Sequence, residues 1–228
     1  MEIKDLFFDL DRTIWDYETN SRETLDDLHE MFLERTVPGD KDTFARIFRF
    51  ENSLLWDAFT ANKIDKDYLR KNRFLNTIRR MGLSDPELAI RMEDAYLEVT
   101  PAKKRLLPGA SETLQVLAQK YRLHIITNGF EDVQNFKLIN CGIRKYFNEV
   151  ITSDGAKSRK PNRDIFDYSL QLTGASIDES IMIGDDPEID IVGAQKAGWQ
   201  AILVNTMNLT HTLQVREVAS FPELLNYL

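Results

Sequence analysis

One cysteine, Cys141, stands in the whole chain, so neither an internal disulfide nor a thiolate zinc site can form. Histidine is equally scarce: His29, His124 and His211 are scattered and suggest no catalytic or metal cluster. Long apolar runs are missing, since nothing approaches the roughly 18 residues that span a bilayer. Positive charge is in deficit, with 29 basic against 37 acidic residues and a net charge of −8. That balance argues against a protein that coats nucleic acid polymers or anionic membranes. An anionic small substrate stays open, provided a locally positive site overcomes the global field. The opening MEIKDLFFDL carries acids where a signal peptide would carry basic residues ahead of an apolar stretch. Together these absences set the expectation of a soluble protein of a reducing cytoplasm.

What is present suffices for a sizeable core: 228 residues, 43% of them hydrophobic, fit one large domain or a core with a smaller companion. Glycine divides the chain, because of the 10 only Gly39 and Gly82 precede Gly109. In the second half, RLHIITNG, NEVITSDG, SIMIGDD and WQAILVN read as strands. Between them EDVQNFKLINCG, PNRDIFDYSLQLTG and PEIDIVGAQKAG read as helices that stop at glycine. Such alternation implies an α/β fold with a parallel sheet covered on both faces. From 18 to 103 the pattern is helical throughout, with no convincing strand. We therefore expect an α/β core from residues 1–17 and 104–228, interrupted by an all-helical insertion over 18–103.

Ligands of open α/β sheets bind beyond the carboxyl ends of the strands. Four stretches fall there. Asp9 and Asp11 follow the apolar run Leu6–Phe8; if the strand runs on through residue 11, period two puts both carboxylates on one side. Two crowded carboxylates repel unless a cation shares their charge, although a turn in which both bond to backbone N–H groups reads equally well. Thr127, Asn128 and Gly129 form either an ordinary Asn-Gly turn or a hydroxyl with free N–H groups for a phosphate oxygen. Pro161 suits a first helical turn and makes Lys160 the approximate N-cap, a place where a cation opposes the helix dipole. A docked anion would resolve that conflict; a solvated lysine is the plainer alternative. Asp185, directly after SIMI, and Asp190 complement a helix N-terminus or supply oxygen ligands of the kind Mg²⁺ favours.

The order DxDxT, TNG, KP, GDxxxxD, running from Phe7 to Asp190, resembles the haloacid dehalogenase superfamily. The fuller strings IITNGF and KPNRDIFDYSL resemble its branch of YjjG-type pyrimidine 5'-nucleotidases. The resemblance implies a Rossmann-like three-layer α/β/α core, with the helical insertion as a cap domain that closes over the site. It implies Asp9 as nucleophile, Asp11 as general acid and base, and Thr127 and Lys160 as holders of the phosphoryl group. Asn128 and Gly129 belong to the same phosphate-binding turn. Mg²⁺ would be bound by Asp9, the Asp11 carbonyl and Asp185, with Asp190 a ligand or one layer behind. Arg12 stands where the family varies and often has glycine, so it is expected to affect access to the site.

The implied function is Mg²⁺-dependent hydrolysis of a small phosphorylated metabolite, a nucleoside 5'-monophosphate first, by a monomer or homodimer. A sugar-phosphate phosphatase or phosphomutase is the alternative. A 2-haloacid dehalogenase or a non-catalytic binding protein on the same scaffold follows behind, since dehalogenation needs no acid at position 11. The basic segment LRKNRFLNTIRR reads as the solvated face of a helix whose apolar face carries Phe74, Leu75, Ile78 and Met81, with Arg73, Arg79 and Arg80 largely opposite. Trp56 reads as insertion core, with substrate contact as a secondary expectation.

Overall fold

The computed structural model describes residues 2–34 and 40–228; Met1 and the stretch 35–39, which includes Gly39, lie outside the described residues. Contacts divide the chain into two compact units, one formed by Met1–Tyr17 with Lys104–Leu228 and one by Glu18–Lys103.

The first unit is built on a 6-stranded parallel sheet of order β3-β2-β1-β4-β5-β6. Its strands are β1 (Asp5–Phe8), β2 (Arg122–Thr127), β3 (Phe147–Thr152), β4 (Ser180–Gly184), β5 (Gln200–Val204) and β6 (Arg216–Val218). β1 is central and buried along its whole length, which is why DLFF carries no polar face after Asp5. Alternation sends its side chains to opposite layers. Leu6 and Phe8 pack with Ile125, Ile183 and Leu114 on one side, while Phe7 packs with Ile126, Met182, Phe166 and Trp199 on the other. β6 has no apolar run to announce it: Arg216 and Glu217 are exposed and only Val218 is buried, as suits a short edge strand.

Helices α5 (Ala110–Leu117), α6 (Glu131–Asn140) and α8 (Arg163–Thr173) cover the sheet, with the one-turn α7 (Ser153–Ala156) and α9 (Gly193–Lys196). Two sequence expectations change here. The segment read as a helix from Pro187 is a π-helical turn over Pro187–Val192 before α9 begins. The N-cap of α8 is Asn162, whose side chain accepts from the Asp164 N–H; Lys160 lies two residues earlier. Asparagine satisfies an orphan N–H where lysine cannot, so the helix starts at the residue able to cap it.

The second unit contains α1 (Tyr17–Phe32, starting at the join), α2 (Lys41–Thr60), α3 (Lys66–Arg80) and α4 (Pro86–Ala102), around a core that includes Phe44, Phe48, Phe74, Met92 and Tyr96. Arg73 departs from the solvated face expected of it. It is buried, donates to both Glu93 oxygens at 2.6 Å, and lies over the Tyr96 ring at 4.2 Å. The carboxylate of α4 supplies the partner that makes an inward arginine tolerable. Trp56 is half-buried, edge-on to Phe59. Among the described residues no helix is long and apolar enough to cross a membrane.

Candidate active site

Sheet order places the carboxyl ends of β2, β1 and β4 side by side, and the predicted residues gather at that rim. Asp9 follows β1 at once, its N–H donating to Ile183 O at 2.8 Å and prolonging the ladder by one residue. The strand itself stops at Phe8 rather than running on through residue 11. The chain then turns: the N–H groups of Ile14 and Trp15 both donate to Leu10 O. Arg12 in this turn has φ 67°, the left-handed region that glycine enters most easily.

The two aspartates consequently face different partners. Asp9 accepts from Lys160 Nζ at 2.7 Å, and the same ammonium donates to Asp190 at 2.7 Å. Asp11 accepts from Lys137 Nζ at 2.5 Å on one oxygen and from Gln134 Nε2 at 2.8 Å on the other. Each carboxylate thus has its own buried cation. Lys160 is only 1% exposed. Burial alone would lower its pKa, but Asp190 and Asp9 outweigh burial and raise it, so it remains an ammonium ion.

Asp185, next after β4, completes an acidic group: oxygens of Asp9, Asp185 and Asp190 all lie within 4.8 Å of one another. Thr13 Oγ1 donates to Asp185 at 3.1 Å and stands 3.5 Å from Asp9. Burial, followed by repulsion from Asp190 and Asp11 and opposed by Lys160, pushes Asp9 up to about 7. Asp185 is pushed up to about 8, by burial first and by Asp9 and Asp190 next, against the pull of Arg12. Asp190 is raised as well, chiefly by burial. A cluster that resists ionisation in this way suits a divalent cation, which would offset the desolvation and the repulsion together. Asp190 already engages Lys160 with one oxygen and the Asp186 N–H with the other, at 3.1 Å.

On the β2 side, Thr127 is buried with its hydroxyl oxygen accepting from Gly129 N–H at 3.0 Å and Gln134 Nε2 at 2.8 Å. The Gly129 N–H is accordingly committed to Thr127. Asn128 spends its side chain on Lys160, accepting from its N–H and donating to its carbonyl, both at 2.8 Å. This two-way bond, more than any helix, fixes Lys160. Gly129 is required by close approach, since a Cβ there would lie 2.1 Å from Gln134 Nε2. Gly184 is constrained likewise, its Cβ falling 2.2 Å from Asp190 Oδ2. Arg12 lies over the Tyr17 ring at 4.1 Å and joins Asp185, Asn205, Thr206 and Met207 in lining a small pocket beside the rim.

Gln134 and Lys137 are the residues that sequence reasoning misses. On α6 they are buried, while Phe136 and Ile139 are 59% and 60% exposed. Helical periodicity assigns the apolar residues inward; α6 does bury Leu138, but it turns Gln134 and Lys137 in beside it and leaves Phe136 and Ile139 outside.

The acids after β1 and β4 and the lysine buried between them thus stand at one rim of the sheet. A haloacid dehalogenase-like hydrolase family model matches residues 3–198, and the chain belongs to that family. It is 31% identical over 203 residues, 88% of this chain and 85% of the other, to pyrimidine 5'-nucleotidase YjjG of Escherichia coli (strain K12). It is 30% identical over 207 residues, 90% and 86% of the two chains, to the glyceraldehyde 3-phosphate phosphatase of Methanothermobacter thermautotrophicus (strain ATCC 29096). The crystal structure of HAD-hydrolase YfnB from Bacillus subtilis bound to magnesium superposes with a TM-score of 0.89 at 25% identity, covering 100% of this chain and 99% of that one.

Proposed function

We propose that this chain is a Mg²⁺-dependent phosphatase that hydrolyses small phosphate monoesters through an aspartyl phosphate on Asp9. The observation that carries the reading is Lys160, a buried ammonium bonded at once to Asp9 and Asp190 at 2.7 Å. Asp9, the Asp11 carbonyl and Asp185 would hold the ion, with Asp190 behind them. Mg²⁺ there would neutralise the crowded carboxylates and draw electron density from the phosphoryl oxygens.

An Asp9 oxygen attacks phosphorus as the bond to the leaving oxygen breaks, and Asp11 protonates the departing alkoxide. Asp11 then takes a proton from water, whose oxygen displaces Asp9 from phosphorus and regenerates the carboxylate. Thr127 and Lys160 stabilise charge on the transferring group throughout. Pyrimidine nucleoside 5'-monophosphates are the proposed substrates, supported by the likeness to YjjG; sugar phosphates come second, supported by the glyceraldehyde 3-phosphate phosphatase. Asp11 speaks against carbon–halogen hydrolysis, which has no alkoxide to protonate. The helical unit is proposed as the cap that selects among esters.

The test is Asp9→Asn, assayed with Mg²⁺ on dUMP, dTMP, UMP and hexose phosphates. Turnover should vanish while circular dichroism is unchanged. Full activity in that variant refutes the nucleophile, and a preference for hexose phosphates in the parent refutes the nucleotide assignment.

A further inference from the structure

Resting on the phosphatase reading above, we propose that Gln134 is a positioning residue which sets the hydrogen-bond polarity of the site, making Thr127 a donor to the phosphoryl group while holding the Asp11 side chain by its Oδ2. A threonine hydroxyl offers two lone pairs and one hydrogen. Both lone pairs of Thr127 are taken, by Gly129 N–H at 3.0 Å and by Gln134 Nε2 at 2.8 Å. The bond left to it is therefore donation, and a phosphoryl oxygen can only accept. A free hydroxyl could rotate to donate elsewhere; this one is held in the polarity the reaction needs.

The amide of Gln134 has two hydrogens, and both have a target. One goes to Thr127 and the other to Asp11 Oδ2 at 2.8 Å. Rotating the amide by half a turn would set its oxygen against Asp11 Oδ2, repelling the carboxylate that remains once Asp11 has given up its proton. This arrangement is kept although it leaves Gln134 Oε1 buried without a hydrogen-bond partner among the described residues, which carries a cost. Gly129 makes room for the amide at a distance no side chain would allow. Lys137, lying over the Trp15 ring at 4.0 Å, fixes the second Asp11 oxygen. One buried amide thus links the group that grips the phosphoryl oxygen to the group that moves the proton.

Gln134→Glu is nearly isosteric but reverses the polarity: the carboxylate accepts the Thr127 hydrogen and repels Asp11. We expect kcat to fall about 10²–10³-fold, as when one oxyanion donor is lost, with KM rising as the bound phosphoryl group loses the same contact. Thr127→Val should fall comparably. The double variant should be no slower than the slower single, because both changes remove one donor; a merely structural role would multiply the losses. Gln134→Met, which lacks both charge and amide, serves if the glutamate does not fold, and its kcat should fall at least about 10-fold. Calorimetric titration with inorganic phosphate in Mg²⁺ supplies a readout free of turnover, in which Gln134→Glu should bind at least about 10-fold more weakly. A kcat within about threefold of the parent in the folded variants, or multiplicative losses, overturns the inference and leaves the phosphatase reading standing. A parent that turns over no ester yet binds phosphate in a Gln134-dependent way overturns the phosphatase reading and supports the inference. A parent that neither turns over esters nor binds phosphate overturns both.

Discussion

Replacing Asp185 by asparagine should make the metal-free protein more stable while removing part of its affinity for the cation. Asp185 moves from 3.8 to about 8, so the folded chain keeps a proton across that window which the unfolded chain has released. A folded state that binds more protons loses stability as pH rises, here between about 4 and 8. The rise is about 4 pH units, which at 1.36 kcal/mol each sets a ceiling near 5 kcal/mol above pH 8. The side chain is half-buried and solvent screens it, so about 2–3 kcal/mol is the effect to look for. Asparagine still accepts the Thr13 hydrogen bond, now 3.1 Å, and carries no charge to repel Asp9 and Asp190. For a chain of this size that is a rise in melting temperature of about 5–10 °C. The assay is thermal unfolding in EDTA at pH 5 and pH 8, then again with Mg²⁺. The gap between variant and parent should be wider at pH 8, and Mg²⁺ at 100 times its Kd should raise the parent by about 2.7 kcal/mol and the variant by far less. An asparagine variant that melts below the parent in EDTA at pH 8, or a gap indifferent to pH, refutes the electrostatic account.

Two further substitutions probe the supports of each unit. Gly184→Ala drives a methyl into Asp190 Oδ2, pushing that carboxylate off Lys160; kcat should drop about 10²-fold, the scale of an ångström-sized misplacement, with little change in secondary structure. Arg73→Met strands Glu93 in the core of the helical unit and should cost about 3–5 kcal/mol in urea denaturation, with Arg73→Met/Glu93→Leu regaining much of it.

The sequence made the rim legible because its residues sit where local rules conflict. Asp9 and Asp185 are carboxylates at the ends of wholly buried strands, and their position follows from strand periodicity alone. Lys160 is a more instructive case. The conflict inferred for it, a cation capping a helix, does not exist, since Asn162 does the capping; its actual conflict, a buried ammonium, is resolved by Asp9 and Asp190. Such long-range partners cannot be read from local pattern. The same holds for Arg73 and Glu93, twenty residues apart, and for Gln134 and Lys137, which are buried beside Leu138 and meet Asp11 from across the sheet rim. β6 escaped notice because pairing with β5, rather than any apolar alternation of its own, makes Arg216–Val218 a strand.

The turn after β1 also has a bearing on how such a molecule changes over time. Asp16 N–H donates to Arg105 O at 3.1 Å, Leu107 N–H donates to Ile14 O at 2.8 Å, and Trp15 bridges Leu106. The excursion from residue 18 to residue 103 therefore leaves and rejoins the sheet-bearing unit through a stitched neck. Lengthening, trimming or exchanging the excursion is a graft onto a closed stem, which leaves the strand tips that carry the aspartates in place.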